Sequence, residues 1–393
     1  MTDMSHSVHP GRPLRIAVLA HGLRVAGGLS VGRNIIAALG AVAPEHAYLV
    51  TFPSGVGYEA QVAKIPNCQS VDYQYQGKIQ RWRFDRVFLP KIVRDFKPDI
   101  VFGLGNRGLL DPPCPQAILV QDPHNFYPAR HLGRIDLLER VRTAYNARHL
   151  GQCLRRTELV FCQQEVALKR LKETFNYTGR LAVFPNAVSA LFAEKLNYSQ
   201  PAALAPLAGK TKLFCLTKFY SHKNLESLVS VFRRFPRELK DVVVITTVAA
   251  DQSPTAPRYL RMVHEAGLED KLVNVGPLPQ EALPGYYRHC QAFILPTLLE
   301  SFSGTYLEAM QLGCPILTSD LDFARVICGD AALYFDPWNP ASIKDAILRL
   351  KDDPTVGRAL VEKGHARMKQ FFRSWPDIVR DAMATLVTLA AKA

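Results

Sequence analysis

The chain has 393 residues, which at about 150 residues per domain predicts two or three domains rather than one. Hydrophobic residues make up 48% and charged residues 21%, with 24 Gly and 27 Pro, so wholesale disorder and a collagen-like or low-complexity chain are both excluded. The net charge is +13, and residues 1–200 carry 25 basic against 15 acidic side chains, so the first half is expected to face something anionic or simply to favour solubility.

Taken in chain order, Leu14–Ala20 is a short apolar run that reads as a buried strand. The loop His21–Gly28 follows, then a helical pattern over Ser30–Leu39 with Val31, Ile35, Ala38 and Leu39 on one face. Strand, glycine loop and helix open a doubly wound domain. Further strands are expected at Ala47–Phe52, Ile100–Phe102, Ala117–Val120, Leu159–Cys162 and Leu181–Phe184, separated by helical patterns. That alternation predicts a parallel sheet covered on both faces. Ser189–Lys210 breaks the rhythm as a Pro/Ala-rich linker. The alternation restarts with strands at Leu213–Leu216, Val242–Thr247, Val273–Val275, Ala292–Leu295 and Pro315–Thr318, and a helix at Leu225–Phe235. Two α/β halves follow, expected to face across a cleft, with ligands at the carboxyl ends of the strands.

The eight cysteines include no C-x-x-C pair and sit mostly in apolar surroundings. They read as structural thiols in a reducing compartment, not as a zinc site. Ile16–Ala20 is too short for a signal segment, and no run of about 18 apolar residues occurs, so a cytoplasmic protein is expected.

Two clusters carry chemistry. In Phe293–Pro315 a strand ends at Pro296, a loop carries Glu300, and Ser303-Gly304-Thr305 opens a helix that runs to Leu312, with Gly313 and Pro315 as stop signals. A helix N-terminus with free N–H groups is an anion site. Glu300 and Glu308 flank it and can accept hydrogen bonds from sugar hydroxyls. The plain alternative is a capped helix start with two solvated acids. The second cluster, Thr217–Asn224, puts Lys218 and Lys223 on a loop at a strand's carboxyl end, where lysine serves as a point charge for phosphate. Two idle surface lysines are its alternative.

Glu300-x7-Glu308 in the frame E-S-F-S-G-T-Y-L-E-A-M-Q-L-G-C-P resembles the family 4 retaining glycosyltransferases of the GT-B fold. Lys218 and Lys223 resemble that family's Gly-Arg-x4-Lys loop, with Thr217 in place of Gly and Lys218 in place of Arg. Thr318–Pro337 and Phe184–Val188 are similar to it as well. The resemblance implies an α/β fold of two Rossmann-like, doubly wound domains. It implies residues 1–195 as the acceptor-side domain, 196–372 as the nucleotide-sugar domain, and 373–393 as a helix packing back on the first. Lys218, Lys223 and the N–H groups of Ser303, Gly304 and Thr305 would hold a donor diphosphate. Glu308 would bind ribose hydroxyls and Glu300 the donor sugar. Phe302 belongs to the same donor stretch, Leu278 lies where the base docks, and Gly27 and Gly28 would admit donor phosphate and sugar. Attack would be same-face, the departing phosphate oxygen taking the acceptor proton.

Departures touch the acceptor and sugar. Asp122 is kept, but Gln121 stands where the family often has His; His124 is the nearby substitute, or else a structural histidine. Val326 replaces a usual Glu. Asp320-Leu321-Asp322 imitates a metal-holding DxD but is read as a turn. No metal or other cofactor is expected, the nucleotide diphosphate sugar being a co-substrate. Lys78–Lys97, with seven positive charges among Trp82, Phe84, Phe88, Ile92 and Phe96, and Arg130–Arg156, with seven arginines, read as helices with solvated basic faces. The sharper reading is a patch that docks on an anionic membrane surface or acceptor. No nucleic-acid motif accompanies the charge. The expectation is a glycosyltransferase using a saccharide or lipid-linked acceptor, cytoplasmic and peripheral on the inner face of the membrane. The alternatives are another GT-B nucleotide-sugar enzyme, of epimerase or phosphorylase type, or a non-catalytic sugar-nucleotide-binding protein.

Overall fold

Interior strands buried on both faces need continuous apolar runs, and the five-residue runs at Ile16–Ala20 and Ile100–Leu104 meet that need. In the computed structural model, residues 12–24, 26–74, 77–187, 192, 198–371 and 373–392 are described. They divide into two units. One comprises Met1–Phe126, Val141–Asn186 and Arg373–Ala393, the other Tyr127–Arg140 and Ala187–Phe372. The boundary expected at 195/196 lies outside the described residues. Residues 127–140 group with the second unit, not with the first as the sequence reading had it.

The first unit holds seven parallel strands: β1 (Arg15–Leu19), β2 (Ala47–Pro53), β3 (Cys68–Tyr73), β4 (Ile100–Leu104), β5 (Gln116–Val120), β6 (Leu159–Cys162) and β7 (Arg180–Val183). Their order is β3-β2-β1-β4-β5-β6-β7. β3 was not expected. As an edge strand paired only to β2, its Cys-Gln-Ser-Val-Asp-Tyr needs no apolar run. The first helix spans Ala26–Val42, so Gly27 and Gly28 lie in its first turn and not in a loop. The basic stretch 78–97 folds as a helix Lys78–Arg83, a π-helical turn Phe84–Phe88 and a helix Leu89–Phe96. Phe84, Leu89, Val93 and Phe96 join the core, while Ile79, Trp82, Val87 and Phe88 stay exposed. The helix Trp375–Ala390, started by a Ser374/Asp377 capping box, packs on the helix Ala26–Val42.

The second unit holds six parallel strands: β8 (Thr211–Cys215), β9 (Val242–Thr246), β10 (Leu272–Asn274), β11 (Ala292–Leu295), β12 (Ile316–Ser319) and β13 (Ala332–Phe335). Their order is β10-β9-β8-β11-β12-β13. Within the expected linker, residues 189–191 and 193–197 lie outside the described residues, and Ala202–Leu207 is a 3-10 helix anchored by buried Leu204. Leu213, Val244, Ile294 and Leu317 of the sheet pack with Leu228, Phe232, Ile343 and Ile347 of the helices. Each such side chain contributes about 1.5–3 kcal/mol by leaving water.

In each sheet the strand order reverses once, at β1/β4 and at β8/β11. The connecting helices diverge there and leave a crevice at the carboxyl ends. No helix among the described residues is long and apolar enough to cross a membrane. The eight cysteines are free thiols, six of them buried.

Candidate functional site

The two sequence clusters leave the two strands that flank the second reversal. Lys218 and Lys223 follow β8; Glu300 and Ser303 follow β11. Lys223 closes a 3-10 turn, Ser221–Lys223, and its Nζ donates to Glu300 Oε1 at 2.6 Å. The two side chains are 15% and 11% exposed, so this is a largely buried ion pair in which neither charge is cheaply left alone. Lys218 is exposed and makes no ion pair with a described residue.

A dense set of hydrogen bonds fixes these loops. Asn224, in the left-handed region at φ 56, donates through Nδ2 to Pro296 O at 3.2 Å and Pro337 O at 3.0 Å. Leu298 N donates to His222 O at 2.7 Å, and Thr297 Oγ1 reaches the same oxygen at 3.2 Å. Three loops, after β8, β11 and β13, are therefore one hydrogen-bonded body. Gly133, from the segment 127–140, lies against the same turn: a Cβ there would stand 2.2 Å from Ser221 O, and φ is +71, so glycine is required.

The helix Gly304–Gln311 starts beside Glu300. Ser303 precedes it without a side-chain capping bond, its Oγ lying 2.8 Å from Thr305 Oγ1. No side-chain oxygen of Ser303 occupies the first N–H groups, which can receive an anion. A Cβ on Gly304 would meet only Glu308 Oε1, at 3.9 Å. Phe302 and Ser303 are buried beneath this start. Glu308 is half-buried, and Tyr287 donates to its Oε2 at 3.0 Å. Burial pushes the Glu308 carboxyl up to about 7, while the Tyr287 hydroxyl favours the anion. Leu278 is half-buried on the loop after β10. The structure thus brings Lys223, Glu300, Ser303, Gly304, Thr305 and Glu308 to neighbouring loops, with Lys218 at the exposed side.

In the first unit, space over Gly27 is open, with nothing within 4 Å of a Cβ; at Gly28 a Cβ would meet Leu23 Cδ2 at 3.1 Å. Asp122 follows β5 and caps the turn Pro123–Asn125: its Oδ1 accepts from His124 N at 3.1 Å and from the His124 ring. Burial works to raise the Asp122 carboxyl, but the His124 ring and N–H outweigh it and hold it below the usual range. His124 is thereby tied to Asp122.

Sequence reasoning missed Asn224, Gly133, Tyr287 and Asn106. Asn106 (φ 70) accepts from Gln121 N at 2.6 Å and Asp122 N at 2.8 Å. Asparagine directly after Lys223 was the one available signal, since asparagine tolerates the left-handed region. Asp320 binds Arg325 through Nε at 2.7 Å and Nη2 at 2.8 Å, and Asp322 Oδ1 accepts from Phe323 N at 2.8 Å. Asp320 serves the turn itself, while Asp322 also accepts from the Tyr127 hydroxyl at 3.2 Å.

Residues 200–370 match the family described as Glycosyl transferases group 1. The chain is 24% identical over 242 residues to the O-antigen chain mannosyltransferase B of Escherichia coli, covering 60% of this chain and 61% of that protein. The chain thus spans less than two thirds of that relative. Sucrose-phosphate synthase from Thermosynechococcus elongatus shares its fold, with a TM-score of 0.73 at 17% identity, covering 97% of this chain and 100% of the other. Anabaena Alr3699/HepE, solved in complex with UDP-glucose, gives a TM-score of 0.69 at 14% identity, covering 95% and 99%. Family match, strand order and loop geometry agree: residues 200–370 match the glycosyl transferases group 1 family, in a chain whose two doubly wound units have the GT-B fold.

Proposed function

We propose that the chain is a retaining glycosyltransferase that moves a sugar from a nucleotide diphosphate sugar to an acceptor hydroxyl in polysaccharide or glycolipid synthesis. The observation that carries this reading is the meeting of Lys223, Glu300 and an uncapped helix start bearing Glu308 at the β8/β11 reversal. A diphosphate bound at the N–H groups of Ser303, Gly304 and Thr305 draws Lys223 away from Glu300. Glu300 is then released to a donor-sugar hydroxyl. Lys218 approaches the diphosphate from solvent, Glu308 takes the ribose hydroxyls, and Leu278 meets the base. Asp122 and His124, with Gly27 and Gly28, serve the sugar and acceptor. The bond from sugar C1 to phosphate oxygen breaks as the acceptor oxygen attacks the same face, and the departing phosphate oxygen takes the acceptor proton. Charge stabilisation on the leaving diphosphate is the largest catalytic contribution, several kcal/mol. The relative named for O-antigen mannosyl transfer favours a mannosyl donor and a polysaccharide acceptor.

A thermal-shift panel of UDP, GDP, ADP and their sugars tests the donor. The right nucleotide at 100 times its Kd stabilises by about 2.7 kcal/mol. Product analysis with and without acceptor then tests transfer. Sugar conversion without acceptor marks an epimerase, and binding without turnover marks a carrier.

Lysines and a helix terminus take the place of a cation in this reading, so activity survives excess EDTA; loss on chelation, restored by Mn²⁺ or Mg²⁺, defeats it. The exposed Ile79, Trp82, Val87 and Phe88, interleaved with Arg81, Arg83 and Arg86, support peripheral association with an anionic inner membrane face. At about 1 kcal/mol per engaged basic side chain, co-sedimentation with anionic vesicles falls with salt. Arg81, Arg83 and Arg86 changed to Glu abolish it, and equal binding to neutral vesicles refutes it.

A further inference from the structure

The first unit contains a concentration of cationic side chains that the donor-site reading does not use. A cavity of about 410 Å³ opens between the turn after β1, the π-helical turn Phe84–Phe88, the loop after β4 and the helix Leu137–Leu154. His21, Asp85, Arg86, Arg94, Arg107 and His149 are among its lining residues. Asp85 is the carboxylate on which the cations converge. Arg107 Nη1 lies at 2.9 Å, His21 Nε2 at 3.3 Å and Arg81 Nε at 3.8 Å. At the far end Arg94 is matched by Asp111 at 2.8 Å. Arg86 lines the cavity without an ion pair to any described residue.

This arrangement is under electrostatic load. Burial and the nearby Arg81 lower the Arg107 guanidinium from its ordinary value, although Asp85 opposes them. Burial, then Arg107 and Arg86, push His149 down to about 4, so at neutral pH its ring is an uncharged donor and acceptor. A guanidinium fork matches two oxygens of a phosphate, and an anion beside Arg86 and Arg107 offsets the positive charge that both place on His149. The exposed Val87, itself a lining residue, adds apolar surface at the rim, and Tyr145 lies near enough to Arg107 to act on its charge. A phosphate that carries an organic group fits this rim better than a bare ion.

We propose that this cavity is a binding site for a phosphate ester, held between Arg86 and Arg107 with His149 as a hydrogen-bonding partner. None of its lining residues is among the donor residues named above, and the site stands whether or not the donor assignment does. The ester could belong to a soluble sugar phosphate or to a lipid headgroup, and the test separates the two.

The full chain, with nucleoside diphosphate in excess to fill the donor site, is titrated calorimetrically with a hexose 1-phosphate and with the unphosphorylated hexose. A parallel arm uses vesicles of phosphatidylglycerol or of phosphatidylcholine. Saturable binding of the hexose phosphate but not the hexose identifies a soluble ligand. Binding to anionic vesicles alone that Arg107→Gln, inside the cavity and outside the exposed basic stretch, also weakens identifies a headgroup; vesicle binding that Arg107→Gln leaves unaltered belongs to that stretch and overturns the cavity proposal. Arg86→Gln, an exposed change that removes no ion pair with a described residue, weakens whichever binding occurs by about tenfold. Arg107→Gln does the same. Asp85→Asn, which removes the competing carboxylate, tightens it, a sign that loss of structure does not produce. Nucleoside diphosphate affinity stays unchanged in Arg86→Gln, so failure here and failure of the donor reading are distinguishable. Absence of saturable binding in both arms overturns the proposal, as does binding that Arg86→Gln and Asp85→Asn leave unaltered.

Discussion

Both sheets reverse their strand order once, but the two reversal points are built differently. At β8/β11 the charges are already matched: Lys223 with Glu300, Glu308 with Tyr287, and Asn224 with two carbonyls. At β1/β4 the backbone is open over Gly27, and the nearby charge is shared unevenly around Asp85. The comparison teaches that equal topology sets where a ligand sits but not how prepared the site is. Matched polar groups on hydrogen-bonded loops are preorganised for one charge pattern, whereas open space with excess cations accepts a broader set of anions.

The sharpest way to break this contrast is Lys223→Ala. It should lower kcat/KM on the native donor by about 3 kcal/mol, roughly a hundredfold, because the leaving diphosphate loses its cation. It should also lower the Tm, since Glu300 is left in a largely buried place without a partner. The double variant Lys223→Met/Glu300→Gln should recover Tm without recovering activity. A single variant with near-normal kcat/KM shows that the matched pair is only structural.

Glu308→Gln sharpens the comparison through pH. Its carboxyl rises on folding from the ordinary 4.5 to about 7. The folded state therefore binds this proton more tightly than the unfolded chain. The resulting stability is full below 4.5 and is lost as pH rises through about 7. Relative to wild type, the Gln variant should gain about 3 kcal/mol at most between pH 4.5 and 8, read by urea unfolding at both ends. A constant difference across that window means Glu308 is an ordinary solvated acid.

Asn224→Ala removes two hydrogen bonds and leaves a non-glycine residue at φ 56. It should cost about 1–2 kcal/mol of stability and raise the KM for donor, because the three loops lose their common tie. Asn224→Gly should restore the backbone but not the ties, and so fall between the two. The smallest expected effect is in the first unit. Asp122→Asn should cost about 1 kcal/mol through the weakened cap on Pro123–Asn125. The ordinary-range carboxyl of the unfolded chain exceeds that of the folded one, so this loss is felt above the unfolded value and vanishes as pH falls through the folded one. An activity loss far larger than the stability loss places His124 at the reacting sugar.

Much of this could be read before any coordinates. The strands β1, β2, β4–β6, β8, β9, β11 and β12 announce themselves because strands buried on both faces must be apolar throughout. The donor-side residues are legible for a related reason. They fall in two short segments, 217–224 and 293–315, where each side chain's place follows from a strand end, a turn and a helix start. Local spacing is enough there. It fails for the edge strands β3 and β13, which face fewer apolar neighbours, and for the start of the first helix, where two glycines look like a loop but sit in a first turn.

Tertiary structure alone decided the rest. The Lys223–Glu300 contact spans 77 residues and depends on β8 and β11 being neighbours, which no spacing along the chain can state. Gly133 against Ser221, and Asn224 holding Pro296 and Pro337, are of the same kind. So is the cationic cavity, assembled from residues 21, 85–86, 94, 107 and 149. The sequence determined which segments become strands and which local turns can hold an anion, because backbone geometry and side-chain period act over a few residues. Pairing of charges was left to the fold, because Coulomb and hydrogen-bond energies depend on distance in space and on burial, and both are set only when the sheet places its strands side by side.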